Sequence, residues 1–142
     1  MDRLLREINA EKELIERTLL ALEKALNRAE QTIIELTAMG TFIHNAYNGM
    51  ENILKRILKF KKVSVPNSRS SHKDLLDHSV ETGIISASLS DKLDAYRGFR
   101  HFFVHAYGFM LDPEQLMPLI EGFPALWGQF ETEIDLFLAQ TR

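Results

Sequence analysis

Apolar residues recur along this chain at three- and four-residue intervals, the repeat of a helix face, and no segment alternates in twos between turn signals. The pattern predicts an all-helical chain. Leu5, Ile8, Ile15, Leu19, Leu22 and Leu26 form one stripe, with Arg3, Glu7, Glu11, Glu13 and Arg17 on the other sides. A second stripe, Ile33, Leu36, Gly40, Ile43, Tyr47, Met50, Leu54 and Ile57, keeps the spacing of a bundle seam. The two stripes are in phase, and one helix through both would be about 85 Å long, too long for a compact domain of this size. A turn is therefore predicted near Asn27 to Gln31.

The polar segment 61–72, with Pro66, Asn67 and four serines, reads as the main loop, and a short helix follows from about His72 to Val80. Gly83, Ser86, Ala87 and Ser88 form a second connection. Ser90 with Asp91 is the predicted cap of a third long helix that runs to about Phe109. Asp112, Pro113 and Glu114 then make a strong start signal for a last helix, which continues to Ala139 with a bend expected near Gly122 and Pro124.

At 142 residues with 45% hydrophobic side chains, the chain forms one domain, 1–142, large enough to bury its own core. It has no cysteine, which excludes disulfides, thiolate metal sites and cysteine nucleophiles and suits a cytoplasmic setting. Charge interrupts every apolar run, so neither a membrane span nor a secretory signal is expected. The net charge of −3 argues against a surface that binds polyanions all over, leaving local basic patches.

Chemistry concentrates between Tyr96 and Phe109. On a helical wheel starting at Tyr96, Phe99, Phe102, Phe103 and Ala106 fall between about 240° and 340°, a face expected to pack in the core. Arg97, Arg100, His101 and His105 fall between about 40° and 180°. A solvated face would normally carry Glu and Lys, yet no carboxylate occurs between Asp94 and Asp112. Two guanidiniums and two imidazoles suit phosphate chemistry: an arginine fork holds two phosphate oxygens, and histidine exchanges protons near neutral pH. In RNA, a 2′-hydroxyl deprotonated by such a base can attack its own phosphorus without a metal.

The order Arg100, His101, His105, Tyr107 resembles the motif of the HEPN superfamily, specifically the HepT-type toxins of bacterial toxin–antitoxin pairs. Residues 46–57, 66–76 and 93–122 are similar to that family's second helix, following loop and short helix, and motif helix, and together with the gaps between them span roughly half of the chain. The resemblance implies an antiparallel all-α four-helix bundle with a short extra helix, acting as a homodimer in which two motif helices face each other. It implies a metal-independent ribonuclease of the bacterial cytoplasm, needing no cofactor, with tRNA the expected substrate. Arg100 and His105 would be the catalytic pair, His101 and Arg97 their support, and Tyr107 the residue that a partner nucleotidyltransferase antitoxin modifies with AMP. The alternative is a noncatalytic companion subunit of that nucleotidyltransferase; an orphan dimerisation module is a third reading.

Lys55, Lys59 and Lys62 share one side of the second helix and are the candidate RNA-binding cations, weighed against a solvated helix end whose charge suits the helix dipole. His101 and His105 have the spacing of a metal-binding pair, but nothing selects a third ligand, and no metal is expected. His72 and Lys73 read as capping or interface residues, Tyr47 and Glu51 as a structural pair four residues apart, and Trp127 and Phe130 as core or dimer-seam residues.

Overall fold

A computed structural model describes residues 1–65, 70–107 and 112–141, with the side chains of 106 and 107 excepted. Four long helices and one short one form it: α1 (Asp2–Leu26), α2 (Ile33–Phe60), α3 (Ser71–Glu81), α4 (Ala87–Phe102) and α5 (Pro113–Thr141). A π-helical turn, Phe103–Tyr107, continues α4. The contacts fix the directions. Arg56 meets Glu7 while Gly49 lies against Ile15, so α1 and α2 are antiparallel. Asn48 meets Arg100 and His44 meets Phe103, so α2 and α4 are antiparallel. Ser86 meets Glu133 and Tyr96 meets Leu119, so α4 and α5 are antiparallel too. The all-α four-helix bundle with an extra short helix is the architecture expected.

The predicted turn lies where the stripes required it. Gln31 Nε2 donates to the carbonyls of Ala25, Leu26 and Arg28 at 3.1, 3.2 and 3.1 Å, satisfying the open end of α1. Thr32 then starts α2 with a capping box: its side chain accepts from Ile34 N, and Glu35 accepts from Thr32 N at 2.8 Å. The Thr32 hydroxyl also donates to Glu35, and this bond together with the one from Thr32 N holds the Glu35 carboxyl below its ordinary range.

Two predicted boundaries are displaced. Ser86, not Ser90, caps α4: its hydroxyl accepts from Leu89 N at 3.1 Å, while Glu133 of α5 holds its N–H and hydroxyl at 2.6 and 3.0 Å. Ser90 is buried inside the helix, one turn on. The reason is tertiary, because only Ser86 stands opposite Glu133. The third long helix also leaves α-geometry at Phe103, earlier than Phe109, which itself lies outside the described residues. α5 runs unbroken through Gly122 and Pro124, past Ala139 to Thr141, and Asp112 caps it by accepting from Glu114 N at 3.0 Å.

Most of both stripes is interior. Ile8, Ile15, Ile43, Tyr47, Met50, Leu54 and Ile57 are each at most 2% exposed, and Phe123, Phe130 and Trp127 bring the core contribution of α5. Trp127 and Phe130 stack with centroids 5.9 Å apart, which places both in the core. Ile33 departs from its stripe at 52% exposed, because it opens α2 beyond the end of α1. Tyr96 ties α4 to α5 by donating to the Leu119 carbonyl at 2.7 Å, and burial pushes its hydroxyl up to about 12. Gly83 takes φ +83 to reverse the chain after α3, a conformation glycine adopts without strain. Among the described residues, no helix is long and apolar enough to cross a membrane.

Glycine is required in α2 for a different reason. A Cβ at Gly49 would lie 2.7 Å from Ile15 Cγ1, so the close approach of α1 and α2 depends on its absence. Gly98 in α4 has open space there. Gly98→Ala is expected to stabilise the fold by about 0.5–1 kcal/mol through helix propensity. Gly49→Ala is expected to lose that gain and destabilise by about 1–3 kcal/mol through overpacking against Ile15. Urea denaturation of the two variants measures the difference in sign.

Candidate functional site

The motif residues stand at the C-terminal end of α4 and in the π-turn, opposite the middle of α2. Arg100 Nε donates to the Asn48 side-chain oxygen at 2.9 Å, a bond between residues 52 positions apart. It is the only partner Arg100 has among the described residues, so its two terminal nitrogens are available to an incoming anion. Holding Nε fixes the plane of the guanidinium and aims its fork.

Asn48 is itself oriented. Its amide nitrogen lies 3.4 Å from His44 Nε2, and His44 Nδ1 lies 3.4 Å from the Asn45 oxygen. With Asn48 oxygen accepting from Arg100, its nitrogen must donate, so His44 Nε2 accepts and His44 Nδ1 carries the proton toward Asn45. That arrangement requires neutral His44. Burial lowers the His44 pKa from its ordinary 6.5, and the Arg100 charge lowers it further against the opposing Asn45 bond. The Phe103 ring covers the imidazole at 5.3 Å between centroids.

His101 and His105 are both exposed, with ring centroids 4.4 Å apart. They emerge where α4 gives way to the π-turn, and π-turns inserted at the end of α-helices frequently mark functional sites because they redirect side chains. Arg97 is differently placed: its Nε donates to Asp94 at 2.7 Å, and that bond raises the guanidinium pKa further. Its charge is therefore largely answered. The side chain of Tyr107 lies outside the described residues.

The aromatic face divides. Tyr96 is buried, and Phe99 and Phe103 pack against the core 5.7 Å apart, as expected. Phe102 does not: it is 38% exposed, and its neighbour Val104 is 49% exposed. The physical reason is that α4 contacts its neighbours along the Tyr96–Phe99–Phe103 line, which leaves Phe102 facing outward beside the exposed imidazoles.

Behind the site, the Glu51 carboxylate is 2% exposed and accepts from His72 Nδ1 at 2.9 and 3.0 Å, fastening the start of α3 to α2. His72 is thus an interhelix tie. Tyr47 lies beside Glu51 but outside hydrogen-bond geometry, and burial with the adjacent carboxylate raises its hydroxyl pKa well above the ordinary range. The expected Tyr47–Glu51 pair is a contact of packed groups. Among the described residues, no three His, Asp or Glu side chains converge as metal ligands.

Lys55, Lys59 and Lys62 come together around one groove at the end of α2. His44, Asn45 and Asn48 are the site residues that the motif did not reveal. Their signal in the sequence is a polar row within a helix, two of its three residues being asparagine, which favours caps and turns over helix interiors.

The neutrality of His44 makes stability depend on pH. In the unfolded chain His44 binds its proton near pH 6.5, and in the fold only at lower pH. Between those values the unfolded chain holds the extra proton, so stability is full above the ordinary value and falls as pH is lowered through the window. His44→Gln is expected to flatten this fall, read as the urea midpoint at pH values from about 7 to 5.

A family model for HepT-like proteins matches residues 38–141. No curated protein matches the chain. Among solved structures, a chain in the crystal structure of a mutant of the toxin–antitoxin pair MntA–HpeT is similar in fold, with a TM-score of 0.68 and 20% sequence identity over 98% of this chain and 99% of that one. The matched region runs from within α2 through α4 to the end of α5, more than half of the chain, and establishes that this protein belongs to the HepT-like family.

Proposed function

We propose that this chain is the toxin of a HepT-type toxin–antitoxin pair and acts as a metal-independent ribonuclease on cellular RNA, tRNA being the expected class. The observation that carries the reading is the Arg100 fork: oriented through Nε by Asn48, unpaired at its terminal nitrogens, and carried on the helix end that presents His101 and His105 to solvent. An RNA phosphate held by that fork has its non-bridging oxygens neutralised as charge builds on them. His105 removes the proton of the neighbouring 2′-hydroxyl, the 2′-oxygen–phosphorus bond forms, and the bond from phosphorus to the 5′-oxygen breaks. The 5′-oxygen takes a proton from a second imidazole, that of His101 or of the motif helix of a second copy. The ends are a 2′,3′-cyclic phosphate and a 5′-hydroxyl.

The exposed Phe102 and Val104 beside the imidazoles support a homodimer in which two such ends face each other and exclude water from the cleft. The antitoxin of the pair is, on this reading, a small nucleotidyltransferase. Transfer of AMP to Tyr107, two residues beyond His105, would add a negative charge where the substrate phosphate must enter, and repulsion with steric obstruction closes the site.

The test is incubation of the purified, unmodified chain with total bacterial RNA in EDTA, followed by sequencing of the ends. Discrete cuts are expected, abolished by His105→Ala and slowed at least a hundredfold by Arg100→Ala, with Arg100→Lys failing to restore the rate because it lacks the planar fork. Absence of cuts by the unmodified chain, with retained binding to the nucleotidyltransferase, would identify the noncatalytic companion subunit instead.

A further inference from the structure

Five cations lie within one short stretch of α2 and its end, and the fold sorts them into two kinds. Arg56 is committed to Glu7 and Glu11 at 2.9 and 3.4 Å, and Lys61 lies over the Phe137 ring at 5.9 Å. Lys55, Lys59 and Lys62 have no ion-pair partner among the described residues, and all three line a single groove of about 360 Å³ with Ser64 and Val65. Helix-dipole compensation does not account for the set, since that effect is confined to the last turn, which Lys55 precedes and Lys62 follows.

The backbone supplies a second, independent observation. Lys62 N donates to the Lys59 carbonyl at 3.0 Å and Val63 N to the Leu58 carbonyl at 2.9 Å, the paired bonds of a Schellman helix end. Its central residue must be left-handed, and Lys62 has φ +60. Glycine takes that position without strain and lysine does not. A strained lysine whose side chain joins two unpaired lysines around one groove indicates that the side chain, and not the turn, fixes the residue type.

We propose that this groove is a phosphate-binding site for the RNA backbone away from the scissile bond, reached along a polar track on α2. Asn45, Asn48, Asn52, Lys55, Lys59 and Lys62 recur at alternating three- and four-residue spacing, exposed except for the half-buried Asn48 that orients Arg100. Lys55 and Lys59 stand about 10 and 16 Å along the axis from Asn48, so a strand whose phosphate sits on Arg100 meets the groove a few nucleotides away. A chain of net charge −3 offers RNA no general attraction, and an uncompensated cluster concentrates the attraction at one place. The inference rests on the ribonuclease reading.

Binding of a fluorescent single-stranded oligouridylate by the full chain carrying His105→Ala, titrated at several salt concentrations, tests it without cleavage. Lys55→Gln, Lys59→Gln and Lys62→Gln together are expected to reduce the magnitude of the log K against log salt slope by about 2, as three lost phosphate contacts require. Lys62→Gly alone is expected to reduce it by about 0.7 while raising the thermal midpoint by about 2–4 °C, weaker binding from a more stable protein. Lys92→Gln, at a surface lysine bonded to Gln129, leaves the slope unchanged. Unchanged slopes in both groove variants overturn the site, including the case in which they lose self-association or binding to an acidic protein instead. If the His105→Ala chain does not bind the oligonucleotide while the unsubstituted chain still cuts RNA, the groove site alone is overturned; if the unsubstituted chain cuts none either, the ribonuclease reading falls with it.

Discussion

The hydrogen bond from Arg100 to Asn48 joins the scaffold to the chemistry. Arginine is long and flexible, and an unrestrained guanidinium at the end of α4 would spread over many rotamers at an entropic cost to any phosphate it met. Fixing Nε leaves the terminal nitrogens as the free edge, so orientation is established before a ligand arrives. The bond exists only because α2 and α4 pack antiparallel with residues 48 and 100 in register. That register depends in turn on the Tyr96 anchor to α5, the Ser86–Glu133 cap, and the tight α1–α2 contact at Gly49.

Charge is distributed to the same end. Nearly every cation near the site is either neutralised by a neighbour or left unanswered, and the division is sharp: Arg97 and Arg56 face carboxylates, whereas Arg100, Lys55, Lys59 and Lys62 do not. His44 adds no positive charge beside Arg100, because its burial and its role as acceptor for Asn48 both favour the neutral ring. The protein is acidic overall and still presents a narrow positive path along one helix.

The helix count, the stripes and the start of α5 were readable from periodicity because those features are set by which residues must avoid water. The break between α1 and α2 was inferred from length, although Thr32 and Glu35 form a capping box that marks it locally. The cap of α4 was misplaced at Ser90 because two serines compete in sequence and only Glu133, 47 positions away from Ser86, decides between them. Arg100, His101 and His105 were singled out by motif spacing. Asn48 and His44 were not, since their importance arises from a contact across 52 residues that no local pattern encodes. The π-turn and the exposure of Phe102 likewise have no local signal in the helical pattern.

The central claim is that Arg100 acts as an oriented cation and that Asn48 works through it. A double-mutant cycle of Asn48→Ala and Arg100→Ala on the single-turnover rate of RNA cleavage measures this directly. Asn48→Ala is expected to slow cleavage about ten- to a hundredfold when Arg100 is present and to have almost no effect when it is absent. Equal effects in both backgrounds would contradict the account, because Asn48 would then act independently of the guanidinium.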